Sequence, residues 1–130
     1  MRFFWLLLVI AYSAFIFYLS DQPSLAVPAL FPQQDKLLHA IAYAVLAFLA
    51  LNYLKHQPLT FNAALVYSFC YCALYGVSDE WHQSFIDGRQ ADVFDWLADC
   101  SGALFLLISV KGLQNDVVLK AKIGKIFHRL

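Results

Sequence analysis

The sequence predicts an all-α integral membrane bundle of four transmembrane helices, followed by a C-terminal amphipathic basic tail. Three observations lead to this fold class. The 130-residue chain is 62% hydrophobic and only 14% charged, whereas a soluble domain carries about a quarter charged residues. Several windows reach the roughly 20 apolar residues that a bilayer span requires. The charged residues are concentrated between these windows and at the C-terminal end.

A proline-rich loop separates the first two apolar segments. Arg2 precedes an uncharged run at 3–20, whose length and aromatic end favour a retained helix over a cleaved signal peptide. Three prolines exclude a regular helix in the loop at 21–35. A second helix is predicted from residue 36 to Tyr53, with Asp35 as its N-cap.

Two further spans flank the most polar stretch of the chain. The third is predicted at 59–78, which contains no charge, and the fourth from about residue 92 to 110, ended by the Lys-Gly pair at 111–112. The remaining residues mix apolar and basic side chains. This mixture fits either an amphipathic helix on anionic headgroups or a plain basic topogenic tail. The chain therefore divides into a transmembrane domain and a tail, at 1–112 and 113–130.

The basic residues predict which side of the membrane each loop occupies. Four spans place both termini on one side, and the side richer in lysine and arginine is the cytoplasmic one. Only Lys36 and Arg89 fall on the opposite side from the larger basic set, which is Arg2, Lys55, Lys111, Lys120, Lys122, Lys125 and Arg129. We therefore expect a multi-pass protein of the cytoplasmic membrane with cytoplasmic termini. The loops at 21–36 and 79–92 would then lie on the extracytoplasmic face.

Helical spacing predicts a polar pocket near that face. Two sets of residues each share one side of a helix: Asp35, His39 and Tyr43, and Asp92, Asp95 and Asp99. Asp99 lies about 10 Å along the axis from Asp92, at about 1.5 Å per residue. An ionisable side chain inside a span costs several kcal/mol unless it faces protein or water. We therefore expect His39, Asp95 and Asp99 to line one pocket that opens to the outside.

Two blocks of residues resemble the VanZ-like family of small bacterial polytopic membrane proteins. The first is Asp35-Lys36-x-x-His39-x-x-x-Tyr43. The second is Gly76-x-x-Asp79-Glu80-x-His82-Gln83, followed by Gly88-Arg89, Asp92, Asp95 and Gly102. The end of the first span, Leu19-Ser20-x-Gln22-Pro23, also fits, so the resemblance covers roughly residues 15–105.

The resemblance implies a polytopic protein of the bacterial cytoplasmic membrane. The family takes its name from a member associated with low-level teicoplanin resistance, and no general biochemical activity comes with it. The chain departs from the family pattern at two positions. Asp87 stands where a proline often precedes the Gly-Arg pair, and Asp99 stands where an asparagine is common.

The polar residues of these blocks are the candidates for a functional site. Carboxylates held close together shift one another's pKa and can form an acid–base pair. With imidazole they can also hold a divalent metal, although the spacing matches no recognised metal motif. The candidate catalytic residues are Glu80, His39, His82, Asp92 and Asp95. The candidate ligand-binding residues are Asp35, Lys36, Tyr43, Asp79, Gln83, Arg89 and Asp99.

Each candidate also has a purely structural interpretation. Arg89 can form a bidentate fork to a carboxylate or phosphate, but the many local acids favour an internal ion pair with Asp92 or Asp79. Lys36 is expected to contact lipid headgroups. The polar groups together can also form a hydrogen-bonded network that locks the helices. Two tryptophans are expected to anchor at the headgroup level: Trp81 and Trp96.

Three functions remain open at this point. We favour a membrane protein that binds or modifies an envelope lipid, a glycan or a glycopeptide-type ligand. A membrane-embedded hydrolase or transferase acting on a lipid-linked substrate comes next. The third is a small transporter or proton-coupled protein acting as an oligomer, which the absence of an internal repeat disfavours. The expected partners are the lipid bilayer and such a ligand, with no nucleic acid, and the sequence leaves the oligomeric state open.

Overall fold

The chain forms four helices that match the four predicted spans. The structure, a computed structural model, describes residues 1–23 and 30–127, with side chains up to residue 121. The helices are α1 (Arg2–Ser20), α2 (Gln34–Leu54), α3 (Phe61–Gln83) and α4 (Val93–Phe127). Each is long and apolar enough to cross a membrane, and the described residues contain no strand. The predicted four-helix membrane bundle is therefore confirmed, while part of the proline-rich loop and the last basic side chains lie outside the described residues.

Helix α2 occupies the centre of the bundle. It packs most extensively against α4 and also contacts α1 and α3. Fully buried small residues on three helices, Ala47, Ala64 and Ala103, allow this close packing. Helices α2 and α4 approach closely at Gly102, where a β-carbon would lie only 1.9 Å from the Ala40 carbonyl oxygen. Small residues at helix interfaces are the usual means by which membrane helices pack tightly.

The start of α2 differs from the prediction. Its N-cap is Gln33, which adopts a left-handed conformation with φ of 65° and provides no side-chain cap. Asp35 lies in the first turn of the helix instead, so its predicted role as the N-cap is wrong. Its negative charge still lies near the positive end of the helix dipole. By contrast, Thr60 caps α3 in the usual way, since its hydroxyl oxygen accepts a hydrogen bond from the Ala63 amide.

Helix α3 continues past its predicted end at residue 78. Asp79, Glu80 and Gln83 form its last turn and are at most 7% exposed. Carboxylates usually mark a solvated loop, but these have hydrogen-bond partners on other segments, which lowers the cost of burial. The first five residues of the stretch at 79–92, which the sequence assigned to a loop, are therefore helical.

Helix α4 also runs beyond its predicted end at 111–112. Gly112 has open space around its Cα, and a glycine inside a helix costs only about 1 kcal/mol. The neighbouring leucine and lysine residues are good helix formers, so the helix continues. Residues 111–121 are all exposed. The division into a transmembrane domain and a tail stays a prediction, although the described part of the tail is a continuation of α4.

Candidate functional site

One end of the bundle collects most of the polar side chains. The C-terminal ends of α1 and α3 meet the N-terminal ends of α2 and α4 there, as hydrogen bonds from Ser20 to Asp79 and from Lys36 to Asp92 show. The connection between α3 and α4 completes this polar end. The convergence follows from antiparallel helices with short connections, which bring chain segments about sixty residues apart into contact.

Three helices each contribute one residue to a buried triad: His39 from α2, Glu80 from α3 and Asp99 from α4. The His39 Nδ1 atom lies 3.0 Å from Asp99 Oδ1. Each residue offers one potential ligand atom, and the three atoms lie within 4.8 Å of one another. Glu80 is 7% and Asp99 0% exposed. One oxygen of each carboxylate, Glu80 Oε1 and Asp99 Oδ2, has no hydrogen-bond partner among the described residues.

Lys36 lies near this triad and bridges two carboxylates at the start of α4. Its Nζ donates to Asp92 Oδ2 at 2.8 Å and to Asp95 Oδ1 at 2.7 Å. Lys36 therefore has two carboxylate partners within the bundle, while its predicted contact with lipid headgroups stays a prediction. The Lys36 ammonium group lowers the pKa of the Asp92 carboxyl. The Asp92 amide in turn donates to Glu80 Oε2 at 2.7 Å, which links this ion pair to the triad.

A second network joins the end of α1 to the end of α3. Ser20 Oγ donates to Asp79 Oδ1 at 2.5 Å, and the Gln83 amide lies 3.3 Å from Ser20 Oγ and 3.4 Å from Asp79 Oδ2. All three side chains are buried. Ser20 was not among the predicted site residues. Its signal in the sequence was its place in the Leu19-Ser20 part of the family resemblance.

Arg89 packs against the end of α1 rather than against the acids. Its Nε donates to the Gln22 carbonyl at 2.9 Å and one Nη to the Leu19 carbonyl at 3.0 Å. The guanidinium forms no ion pair within the described residues, so the predicted pair with Asp79 or Asp92 is wrong. The last carbonyls of a helix lack partners inside the helix. A cation there also complements the negative end of the helix dipole.

His82 lies apart from the triad. Its Nε2 is 3.2 Å from Asp21 Oδ1, and its ring stacks on Phe17 with a centroid distance of 4.4 Å. The structure therefore does not bring His82 together with His39 and Glu80. A shared role for these three residues would require a ligand that reaches both places.

The two tryptophans at this end of the bundle have different environments. Trp81 is 68% exposed, as an anchor in the headgroup region would be. Trp96 is only half-buried and donates its indole N–H to the Ala73 carbonyl of α3 at 3.0 Å. This hydrogen bond joins α4 to α3, a role that the sequence did not predict for Trp96.

A cavity of about 700 Å³ opens beside these networks, chiefly between α1 and α2. Its apolar wall is formed by Tyr12, Ile16, Leu38, Ile41 and Ala42. Its polar end is formed by Ser20, Asp35, His39, Asp79, Gln83, Arg89 and Asp95. Tyr43 also lines the cavity, and its buried hydroxyl has no partner among the described residues. Most of the predicted ligand-binding residues therefore lie on one surface.

Gly76 is a further residue that the candidate list omitted. A β-carbon at this position would lie 3.0 Å from both Asp99 Oδ2 and Trp96 Cδ1. The missing side chain thus leaves the space in which Asp99 and Trp96 pack against α3. In the sequence, Gly76 was visible only as the first residue of the second family block.

The chain matches a known protein family. The model of the family described as VanZ/LLP1 matches residues 3–114, which is most of the chain. The match begins in α1, includes α2 and α3, and ends within α4. No curated protein and no solved structure matches the chain.

Proposed function

As a member of the VanZ/LLP1 family, the chain is a multi-pass membrane protein, and we propose that its cavity binds an envelope lipid or a lipid-linked glycan. The observation that carries this proposal is the division of the cavity into an apolar wall and a polar end. A lipid has the same division. Its hydrocarbon would lie along α1 and α2, and its headgroup would lie among the polar side chains.

The size of the cavity supports a ligand of this class. Small-molecule sites usually have volumes of about 300–1,000 Å³, and this cavity has about 700 Å³. One acyl chain and a headgroup fit such a volume, whereas a complete glycopeptide antibiotic is much larger than a drug-sized ligand. A role in teicoplanin resistance would therefore act through the lipid or lipid-linked precursor rather than through capture of the whole antibiotic.

The charges at the polar end favour a headgroup that donates hydrogen bonds. Among the described residues, the cavity is lined by the carboxylates of Asp35, Asp79 and Asp95 and by one arginine, Arg89. Arg89 already donates to backbone carbonyls. Carboxylates accept hydrogen bonds from amines and hydroxyls, and they repel a bare phosphate. We therefore propose an amine or sugar headgroup.

The lysine and arginine distribution supports an outward orientation of this site. The basic residues accumulate near both termini and the 55–58 turn, and only Lys36 and Arg89 lie at the polar end. In the proposed arrangement the termini are cytoplasmic, the protein lies in the bacterial inner membrane, and the cavity receives lipids of the outer leaflet.

Filling the cavity is expected to reduce lipid retention strongly. Ala42 lines the apolar wall, so Ala42→Phe places a ring where the hydrocarbon would lie. We expect the amount of lipid that co-purifies with the protein in mild detergent, measured by native mass spectrometry, to fall about tenfold. This corresponds to a loss of about 1.4 kcal/mol in binding.

Val45→Phe is the matched control for this experiment. Val45 lies one turn from Ala42 on the same helix but is 40% exposed and does not line the cavity. This variant should retain as much lipid as the wild type. Equal retention by the two phenylalanine variants would contradict the proposal, since the bound lipid would then lie on the outer surface of the bundle.

A catalytic function is the second candidate. The observation that favours it is the His39–Asp99 hydrogen bond beside the cavity, because an imidazole oriented by a buried carboxylate is a common arrangement of a general base. Glu80 would then be the second acid–base group. Conversion of a bound lipid to product by the wild type and not by His39→Gln would favour this candidate over binding alone.

A further inference from the structure

We propose that the triad of His39, Glu80 and Asp99 binds one divalent transition-metal ion of the zinc or manganese type. The three ligands come from α2, α3 and α4 and meet near the polar end of the bundle. One imidazole nitrogen with two carboxylates is a donor set that zinc and manganese accept. A calcium or magnesium site would instead be built from oxygen atoms alone.

The distances of the triad suit a metal site. The three potential ligand atoms lie within 4.8 Å of one another, and His39 Nδ1 is 3.0 Å from Asp99 Oδ1. Ligands on zinc are about 2.0–2.2 Å from the ion, so neighbouring ligand atoms are separated by about 3.0–3.5 Å. The histidine–aspartate distance already has this value. Glu80 lies within 4.8 Å of the other two ligand atoms, a gap that a change of its side-chain torsions can narrow.

The hydrogen bonding of the triad is incomplete without a further group. Glu80 Oε1 and Asp99 Oδ2 are buried and have no partner among the described residues. Burying a carboxylate oxygen without a partner is costly. The ammonium of Lys36 does not supply the missing charge, because it is bonded to Asp92 and Asp95. A divalent cation would neutralise both carboxylates and complete their bonding.

The surroundings orient Glu80 and leave room for Asp99. The second Glu80 oxygen, Oε2, accepts a hydrogen bond from the Asp92 amide at 2.7 Å. Gly76 leaves the space beside Asp99 Oδ2 that a β-carbon would restrict, at 3.0 Å. Metal ligands are typically oriented by such neighbours. With three protein ligands the ion would keep an open coordination position, and His39 lines the main cavity.

Metal content of the purified protein tests this inference. The full-length chain, with its affinity tag removed, would be stripped with a chelator and dialysed against zinc chloride or manganese chloride. Elemental mass spectrometry should then show one metal ion per chain for zinc or manganese, and far less for calcium. Glu80→Gln and Asp99→Asn should each weaken binding at least tenfold, since even residues that only support a ligand cost this much.

His82→Asn is the matched control, because this histidine pairs with Asp21 outside the triad and its loss should leave the stoichiometry at one. Less than about 0.1 ion per wild-type chain, or equal binding by Glu80→Gln and the wild type, would overturn the inference. If neither triad variant accumulates, the wild-type stoichiometry decides. Lipid retention would be measured on the same metal-free sample, so that a failed metal site is distinguished from a failed lipid site.

Discussion

Replacing Gly102 with alanine is expected to destabilise the protein by about 3 kcal/mol or more. The added β-carbon would lie 1.9 Å from the Ala40 carbonyl oxygen and 2.5 Å from its carbon. Both are backbone atoms, so no side-chain rotation relieves the overlap and the two helices must separate. Helices α2 and α4 form the most extensive contact in the bundle, and their separation would also weaken the contact between His39 and Asp99.

Gly112→Ala is the matched control, because it makes the same substitution in the same helix. Among the described residues, no atom outside the local helix backbone and the two chain neighbours lies within 4 Å of a β-carbon at this position. Alanine favours the helix over glycine by about 1 kcal/mol, so this variant should be as stable as the wild type or slightly more stable. Unfolding in mixed micelles of increasing denaturing-detergent content would compare the two. Similar stabilities for the two variants would contradict the close crossing of α2 and α4.

Replacing Arg89 with methionine is expected to cost about 2 kcal/mol or more, because hydrogen bonds from a charged group contribute about 1.5–3 kcal/mol each. The guanidinium donates to the Leu19 and Gln22 carbonyls at the end of α1. Methionine keeps the length of the side chain and removes all of its donors. The connection between α3 and α4 would then lose its attachment to the first helix. The same unfolding experiment measures the effect.

Arg89→Lys separates geometry from charge. Lysine is a point charge without the planar fork of arginine, so it should restore less than half of the lost stability. Arg2→Lys is the control, because Arg2 is exposed at the start of α1 and its change should stay within about 0.5 kcal/mol. Wild-type stability in Arg89→Lys would mean that the two carbonyl contacts do not hold the loop.

Composition and helical spacing predicted the fold and part of the site. Long apolar runs predicted the four spans, because a helix of about 20 apolar residues crosses a bilayer with all of its backbone groups bonded within the segment. The shared pocket of His39, Asp95 and Asp99 was expected because an ionisable group inside a span must face protein. In the structure His39 and Asp95 line the cavity. Asp99 bonds to His39 but is fully buried and is not among the lining residues. The spans and the shared helix faces can be predicted because they depend on the spacing of apolar and polar residues over short stretches of the chain.

The partners of the polar groups could not be read in the same way. Asp79 and Glu80 indicated a loop, yet they are buried in a helix because Ser20 and the Asp92 amide bond to them. Ser20 is 59 residues away from Asp79. Arg89 was expected to pair with an acid, whereas it bonds to backbone carbonyls. A sequence shows charged side chains directly, but it does not show which carbonyls a helix end leaves unpaired.

The polar end combines structural and proposed binding roles in the same residues. Asp79 and Gln83 connect α3 to α1 and also line the cavity. A ligand that bonds to them would therefore also strengthen the connection between these helices. Any ligand that binds the folded state alone raises its stability. Bound lipid is thus expected to stabilise the end of the bundle at which the four helices meet.

The most direct measurement of the central claim is an experimental structure of the protein in nanodiscs made from its native membrane lipids. We expect density for one lipid inside the cavity, with hydrocarbon between Ile16 and Ile41 and a headgroup next to Asp79 and His39, which line the two parts of the cavity. A cavity that holds only ordered water, with lipids confined to the outer surface of the bundle, would contradict the proposed lipid site.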